Sequence, residues 1–197
     1  MVSKIDTAWD LFLEGKTSEA KKLVEQDFSI DTCTDFSLLN LMGYLLLAEK
    51  DYASCTRIFE KYILLAQPNE DKEHEHIGLH QLAMIYRDQG DFHKALKLIE
   101  DEEKIIEEHF PNDNLKKAIN NYEQGYVRLK LNNLDEALTF MNLSLEQSLE
   151  TDDVISQACS YRGLGEIYLA LEDTELSNRH FKRAIELFES VGEFEGI

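Results

Sequence analysis

Three histidines fall within the seven residues HEHIGLH, His74 to His80. They form the densest group of potential metal ligands in the chain. His76 and His80 stand four apart, so on a helix they share a face and could ligate one zinc ion. His74 lies two residues before His76, about 200° round the helix, and makes a poor third ligand. A carboxylate from elsewhere would have to complete such a site. The competing reading is that the histidines are solvated or line a binding groove. No other chemistry is signalled. There is no HExxH pair, no Gly-rich phosphate loop and no GxSxG elbow, so no catalytic residue is assigned and no cofactor is expected. Cys33, Cys55 and Cys159 are odd in number and widely spaced without a CxxC, which suggests reduced thiols in a cytoplasmic protein.

Positioning such residues requires a framework, and the composition favours helices. The 197 residues are 43% apolar, with two prolines and nine glycines. Leu, Ala, Glu and Lys are plentiful, and no segment alternates as a strand would. The formal net charge of -19 repels phosphate backbones and anionic lipid, so neither nucleic acid nor membrane is the expected partner. A basic partner remains compatible with it. The longest apolar run, LMGYLLLA, is too short to cross a bilayer, and the first residues lack the apolar core of a signal peptide. The acidic run EDEEKIIEEH, residues 100–109, reads as a solvated helix face.

A repeat underlies the chain. Five pairs of small residues are each twelve apart: Ala8 and Ala20, Gly43 and Cys55, Ala83 and Ala95, Gly125 and Ala137, Gly165 and Ser177. An apolar residue follows four later in every copy, as Val24, Phe59, Ile99, Met141 and Phe181. Small side chains let two antiparallel helices approach closely, and larger ones a turn away fill the groove. Between the small residues lie Gly15-Lys16, Lys50-Asp51, Gly90-Asp91, Asn132-Asn133 and Glu172-Asp173. Gly or Asn can take the left-handed conformation that ends one helix, and Asp or Asn can begin the next.

These registered units resemble tetratricopeptide repeats. The resemblance covers roughly residues 3–190, with departures. Arg128 stands where the family usually has a tyrosine, as at Tyr86 and Tyr168; Lys50 and Glu172 replace a turn glycine; the first copy lacks the Leu-Gly pair. The spacing grows from 35 residues to 40, 42 and 40, enough to lengthen helices by a turn or more. Long repeats of this kind resemble the arrays of Rap- and PlcR-type peptide receptors, and also long-repeat scaffolds that bind extended segments of protein partners. The expected fold is all-α: an α-α superhelix of about five helix pairs over 3–29, 35–67, 70–109, 112–149 and 152–190, with residues 1–197 as a single domain.

The resemblance implies that the first helix of each pair lines a concave face. Helical spacing then points Trp9, Asn40, Tyr44, His80, Gln81, Met84, Arg87, Tyr122, Glu123, Tyr126, Arg162 and Glu166 inward. Side-chain amides match peptide backbone groups, Tyr and Met give adaptable apolar surface, and Arg can fork a carboxylate. The basic set with which co-chaperones of this family hold acidic tails is absent, since Ile5, Asn40 and His80 take the equivalent places. The expected function is a non-enzymatic module for a protein or peptide ligand, regulatory or scaffolding. One alternative is a metal sensor or hydrolase using His76 and His80. Another is an assembly protein: no polar capping helix is evident, and Trp9, Phe12 and Leu13 are apolar on the first helix, so uncapped ends favour a homodimer. A receptor-type transcription factor would also carry a helix-turn-helix, and none is evident.

Overall fold

Carboxylates set where most helices begin. The computed structural model describes residues 3–192. It has α1 (Lys4–Leu13), α2 (Thr17–Val24), α3 (Phe36–Ala48), α4 (Tyr52–Ala66), α5 (Lys72–Asp88), α6 (Phe92–His109), α7 (Asn114–Lys130), α8 (Leu134–Leu149), α9 (Val154–Ala170) and α10 (Thr174–Ser190). Asp35, Asp51, Asp71, Asp91, Asp113, Asp153 and Asp173 each accept a backbone N–H from the third residue of the helix that follows. Each cap satisfies a donor that the helix start leaves open and places negative charge at the positive end of the dipole. Part of the chain's acidity therefore serves local structure. No strand occurs among the described residues.

Turn chemistry ends the first helix of every pair. Gly15, Lys50, Gly90, Asn132 and Glu172 all have positive φ, between 60° and 78°. Lys50 and Glu172 occupy the left-handed region despite their Cβ atoms, which costs about 1–2 kcal/mol each. The geometry of the pair, not the residue type, dictates that conformation. The lengthened spacing also has its expected effect: α5 to α10 run 16–18 residues, against 10, 8, 13 and 15 for α1 to α4.

The chain divides into two compact units, residues 1–90 and 91–197. In the first, α1 packs on α2, α3 on α4, and α4 on α5; in the second, α6 packs on α7, α7 on α8, α8 on α9 and α9 on α10. Every member of the five small-residue pairs is buried. A Cβ on Gly43 would lie 2.4 Å from the Phe59 ring, and one on Gly165 would lie 2.7 Å from the Phe181 ring. The partner small residue then adds a polar link: Cys55 Sγ donates to the Gly43 carbonyl at 3.5 Å, and Ser177 Oγ to that of Gly165 at 2.9 Å. Burial pushes the Cys55 thiol up to about 11, so it stays protonated as a packing group.

The second unit corrects one reading. Within EDEEKIIEEH, Glu102 is only 2% exposed and is no part of a solvated face. It accepts from Asn120 Nδ2 at 3.1 Å, which also donates to the Ile99 carbonyl at 3.0 Å. Gln124 Nε2 donates to Asn120 Oδ1 at 3.1 Å, and Arg128 Nη1 to Gln124 Oε1 at 2.8 Å. Arg128 thereby explains its departure from the repeat pattern. Its guanidinium reaches Glu136 at 2.9 Å and Glu100 at 3.2 Å and lies 4.2 Å from the Phe140 ring centre, tying α6, α7 and α8 together.

Candidate functional site

The histidines of HEHIGLH go three ways. His74 sits in the first turn of α5, where its backbone N–H is capped by Asp71. Its Nδ1 lies 2.8 Å from Asp71 Oδ2, and its ring stacks on Phe36 at 4.0 Å between centres. His76 is buried, with Nε2 3.6 Å from Glu73. His80 is half-buried further along the helix. Among the described residues, no three His, Cys, Asp or Glu side chains come together as a metal site.

The residues expected to face inward fall into two groups, one in each unit. In the first unit, Gln81 of α5 donates to the Tyr44 hydroxyl of α3 at 2.7 Å. Burial raises the Tyr44 phenol above its ordinary value, so it is a neutral hydrogen-bonding group at any physiological pH. Trp9 and Phe12 of α1 close on the same ring, each about 5.9 Å from it or nearer, and Trp9 Nε1 donates to Ser37 at 2.9 Å. These two aromatics are covered by α3, whereas Leu13 is 77% exposed. Asn40 is half-buried, yet its Oδ1 is fully enclosed and has no hydrogen-bond donor among the described residues. Arg87 reaches Asp88 at 3.2 Å, and Met84 is buried.

In the second unit, Arg162 of α9 donates to the Tyr122 hydroxyl of α7 at 3.1 Å. Burial pushes that phenol up to about 12, with Arg162 opposing the shift. Tyr122 stacks on Tyr126, Lys130 lies 4.6 Å from the Tyr126 ring centre, and Lys130 pairs with Glu166 at 3.6 Å. Glu123 is buried, so its contribution to the surface is small. At the N-terminal end of this row, α7 and α9 part to leave a pocket of about 180 Å³ walled by Ala118, Ile119, Tyr122, Ile155 and Cys159. Ile119 and Ile155 are 37% and 48% exposed. Burial raises the Cys159 thiol above its ordinary value.

The same motif thus recurs in both units: a tyrosine hydroxyl on one first helix held by a polar side chain of the next. Such an arrangement can pair with backbone amides and carbonyls and accept an apolar side chain beside them. Inward spacing had singled out Tyr44, Gln81, Tyr122 and Arg162. It missed Ile119, Ile155 and Cys159, because apolar residues near a helix start read as core until the gap between α7 and α9 is seen.

Models of the family described as tetratricopeptide repeat match residues 117–190 and 78–101. No curated protein sequence matches the chain. Among solved structures, BtubC from P. vanneervenii is 16% identical with a TM-score of 0.73, over 95% of this chain and 79% of that one. A putative kinesin light chain with nearly identical TPR-like repeats, from Podosopora anserina, is 15% identical with a TM-score of 0.70, over 97% and 96%. MamA from Desulfovibrio magneticus RS-1 is 18% identical with a TM-score of 0.64, over 96% of each chain. At these identities the likeness is one of fold. No helix among the described residues is long and apolar enough to cross a membrane.

Proposed function

The chain is a tetratricopeptide-repeat protein, and from that premise we propose that it is a non-enzymatic binding module for a protein or peptide segment, held along the first helices of its repeats. The observation that carries this reading is the row in the second unit. Tyr122, Arg162, Tyr126, Lys130 and Glu166 offer donors and acceptors beside an apolar pocket whose Ile119 and Ile155 are left partly exposed. Asn40, Tyr44, His80, Gln81 and Arg87 form the corresponding proposed surface of the first unit, where Met84 is buried, as Glu123 is in the second. The lengthened repeats support a regulatory or scaffolding use, and the free cysteines fit a cytoplasmic setting.

The test begins with peptides selected from a random library on the full chain. Arg87→Ala, Tyr126→Ala and Ile119→Asp are then measured against the selected peptides, with circular dichroism as the fold control. Each substitution that touches the bound segment should weaken it roughly tenfold or more. Affinity unchanged in all three variants would remove the groove assignment. A second reading, self-association, is supported by the exposed apolar side chains of Leu13 in the first unit and of Leu169 and Leu171 in the second, which are 77%, 57% and 40% exposed. Light scattering over a concentration series, with Leu13→Glu and Leu169→Glu, decides it.

A further inference from the structure

The network behind Glu102 borders a second pocket, on the other side of α7 from the tyrosine row. At about 100° per residue, Lys117, Asn120 and Asn121 share one arc of α7, and Ile119, Tyr122 and Tyr126 lie on the opposite arc. The pocket holds about 130 Å³ and is lined by Glu103, Ile106 and Glu107 of α6, by those three α7 residues, and by Gln147 of α8. Its walls are fixed from behind. Asn120 is held by Gln124, Glu102 and the Ile99 carbonyl, and Gln124 by Arg128. Asn121 is 8% exposed and donates through Nδ2 to Gln147 Oε1 at 2.8 Å. Asn121 lines the pocket, and its Oδ1 accepts no hydrogen bond among the described residues.

The mouth is negative. Glu103 and Glu107 are one turn apart on α6, so their Cβ atoms are about 5–6 Å apart. Of the nearby cations, Lys117 lines the pocket with its Nζ donating to the Pro111 carbonyl, and Arg128 is paired with Glu100 and Glu136, so two carboxylates face one ammonium at the rim. Glu107 has no basic partner among the described residues. Burial holds the Glu103 carboxyl above its ordinary value and the neighbouring Glu107 adds to the rise, while a hydrogen bond with the Gln124 side chain and the charge of Arg128 oppose it.

We propose that this pocket binds a guanidinium group, the arginine side chain of a basic segment of a partner protein. Two carboxylates and the Asn121 carbonyl oxygen are acceptors, and a guanidinium is a planar fork of five donors with no acceptor of its own. The fork spans carboxylates a helical turn apart, which a compact ammonium does not, and Ile106 offers an apolar wall for the arginine stem. The net charge of -19 draws basic segments toward the surface. This site lies on the opposite side of α7 from the proposed groove and stands or falls independently of it.

The test uses the full chain labelled with 15N and three capped tripeptides, Gly-Arg-Gly, Gly-Lys-Gly and Gly-citrulline-Gly, titrated to roughly 10 mM to cover weak binding. The arginine peptide should move the side-chain amide signals of Asn121 and Gln147, and Glu107→Gln and Glu103→Gln should each weaken that response about tenfold. Tyr126→Ala should leave it unchanged. Citrulline keeps the shape and loses the charge, so an equal response to it overturns the proposal. An equal response to lysine does the same, as does the absence of any shift at Asn121 and Gln147. Glu107 is exposed, so Glu107→Gln keeps the test valid should Glu103→Gln disturb the fold.

Discussion

The two units fill one frame with different materials. In the first, α3 and α4 bury Leu39, Leu41, Leu45, Ile58, Phe59 and Tyr62, each 2% exposed or less. In the second, buried positions carry Glu102, Asn120, Gln124, Arg128, Ser144 and Ser160. Ser144 donates to the Ala118 carbonyl and lies 2.8 Å from Ser160, so α7, α8 and α9 are joined by hydrogen bonds as well as by contact. An apolar core is stabilised in proportion to area and tolerates rearrangement. A satisfied polar network is directional: it favours one arrangement of three helices and penalises the rest. Both candidate surfaces of the second unit, the tyrosine row and the acidic pocket, are built on helices that this network fixes.

A reciprocal exchange breaks that comparison most severely. Leu41→Asn buries an amide among hydrocarbon and leaves a gap, at an expected cost of about 4 kcal/mol. Asn120→Leu strands Gln124, Glu102 and the Ile99 carbonyl, at an expected cost of about 2–3 kcal/mol. Trp9 emission during urea unfolding reports the first, since the chain's one tryptophan lies in that unit. Amide hydrogen exchange in α6 to α8 reports the second. If Asn120→Leu proved neutral, the network would contribute nothing to holding α6 against α7, and the contrast between the units would be one of composition alone.

A smaller effect sharpens the contrast at the helix joints. Alanine at Gly43 must displace the buried Phe59 ring, 2.4 Å from the new methyl. Overpacking of that kind costs about 1–3 kcal/mol, and the roughly 1 kcal/mol of helix propensity gained does not fully offset it. Alanine at Gly125 meets the Ala137 carbonyl and Met141 at 3.1 Å, a tight but tolerable fit. Gly125→Ala should therefore lie within about 1 kcal/mol of neutral, propensity and crowding nearly cancelling. Equal losses in thermal unfolding of the two variants would mean that the joints are equally close-packed.

These joints were legible in the sequence because they depend on local spacing. Residues twelve apart, with a filler four later, mark a helix pair whatever surrounds it, and the positions of Gly15, Gly90 and Asn132 mark its turn. The interior of the second unit was not legible in the same way. Glu102 sits between Ile99 and Ile106 at helical spacing, a signal that it shares their face, but the run of acids around it suggested solvent. Its partner Asn120 is eighteen residues away on another helix, and no local pattern pairs them. The histidines show the same limit. Four-residue spacing is real for His76 and His80, while the Asp71 cap and the Phe36 ring that engage His74 belong to the fold.

Both units carry lowered cap carboxylates, and the second adds a raised one. Asp51 and Asp71 in the first unit and Asp91 and Asp113 in the second are held below the ordinary carboxylate value, Asp51 first by the Ser54 side chain, Asp71 first by the His74 backbone N–H, Asp91 first by the Lys94 side chain, and Asp113, against burial, by the Lys116 backbone N–H. Their stabilisation is present above the unfolded value of about 3.9 and is lost as the pH falls through the lower folded values. Glu103 has the opposite sign. Its folded value is raised, so its contribution is complete below about 4.3 and is lost as the pH rises through the folded value. Hydrogen exchange followed from pH 7 downward should show α6 gaining protection around Glu103 before pH 4, and the first turns of α4, α5, α6 and α7 all losing it below pH 4. Parallel loss in both units above pH 4 would contradict these assignments.

The smallest effects lie at the turns, where the two units can be compared on one backbone conformation. Lys50 in the first and Glu172 in the second both hold φ near 60° with a long side chain attached. Glycine relieves that strain but raises the entropy of the unfolded chain, so Lys50→Gly and Glu172→Gly should each stabilise by only about 0.5–1 kcal/mol. Asn132 has the same φ of about 60° and tolerates it better, its short amide being suited to the left-handed region, so Asn132→Gly should change stability by less than about 0.5 kcal/mol. The ranking matters more than the values. If all three gained equally, the backbone strain would be independent of the side chain. If Lys50→Gly and Glu172→Gly lost stability, interactions of those side chains would outweigh the strain, and the departures from a turn glycine would be compensated substitutions.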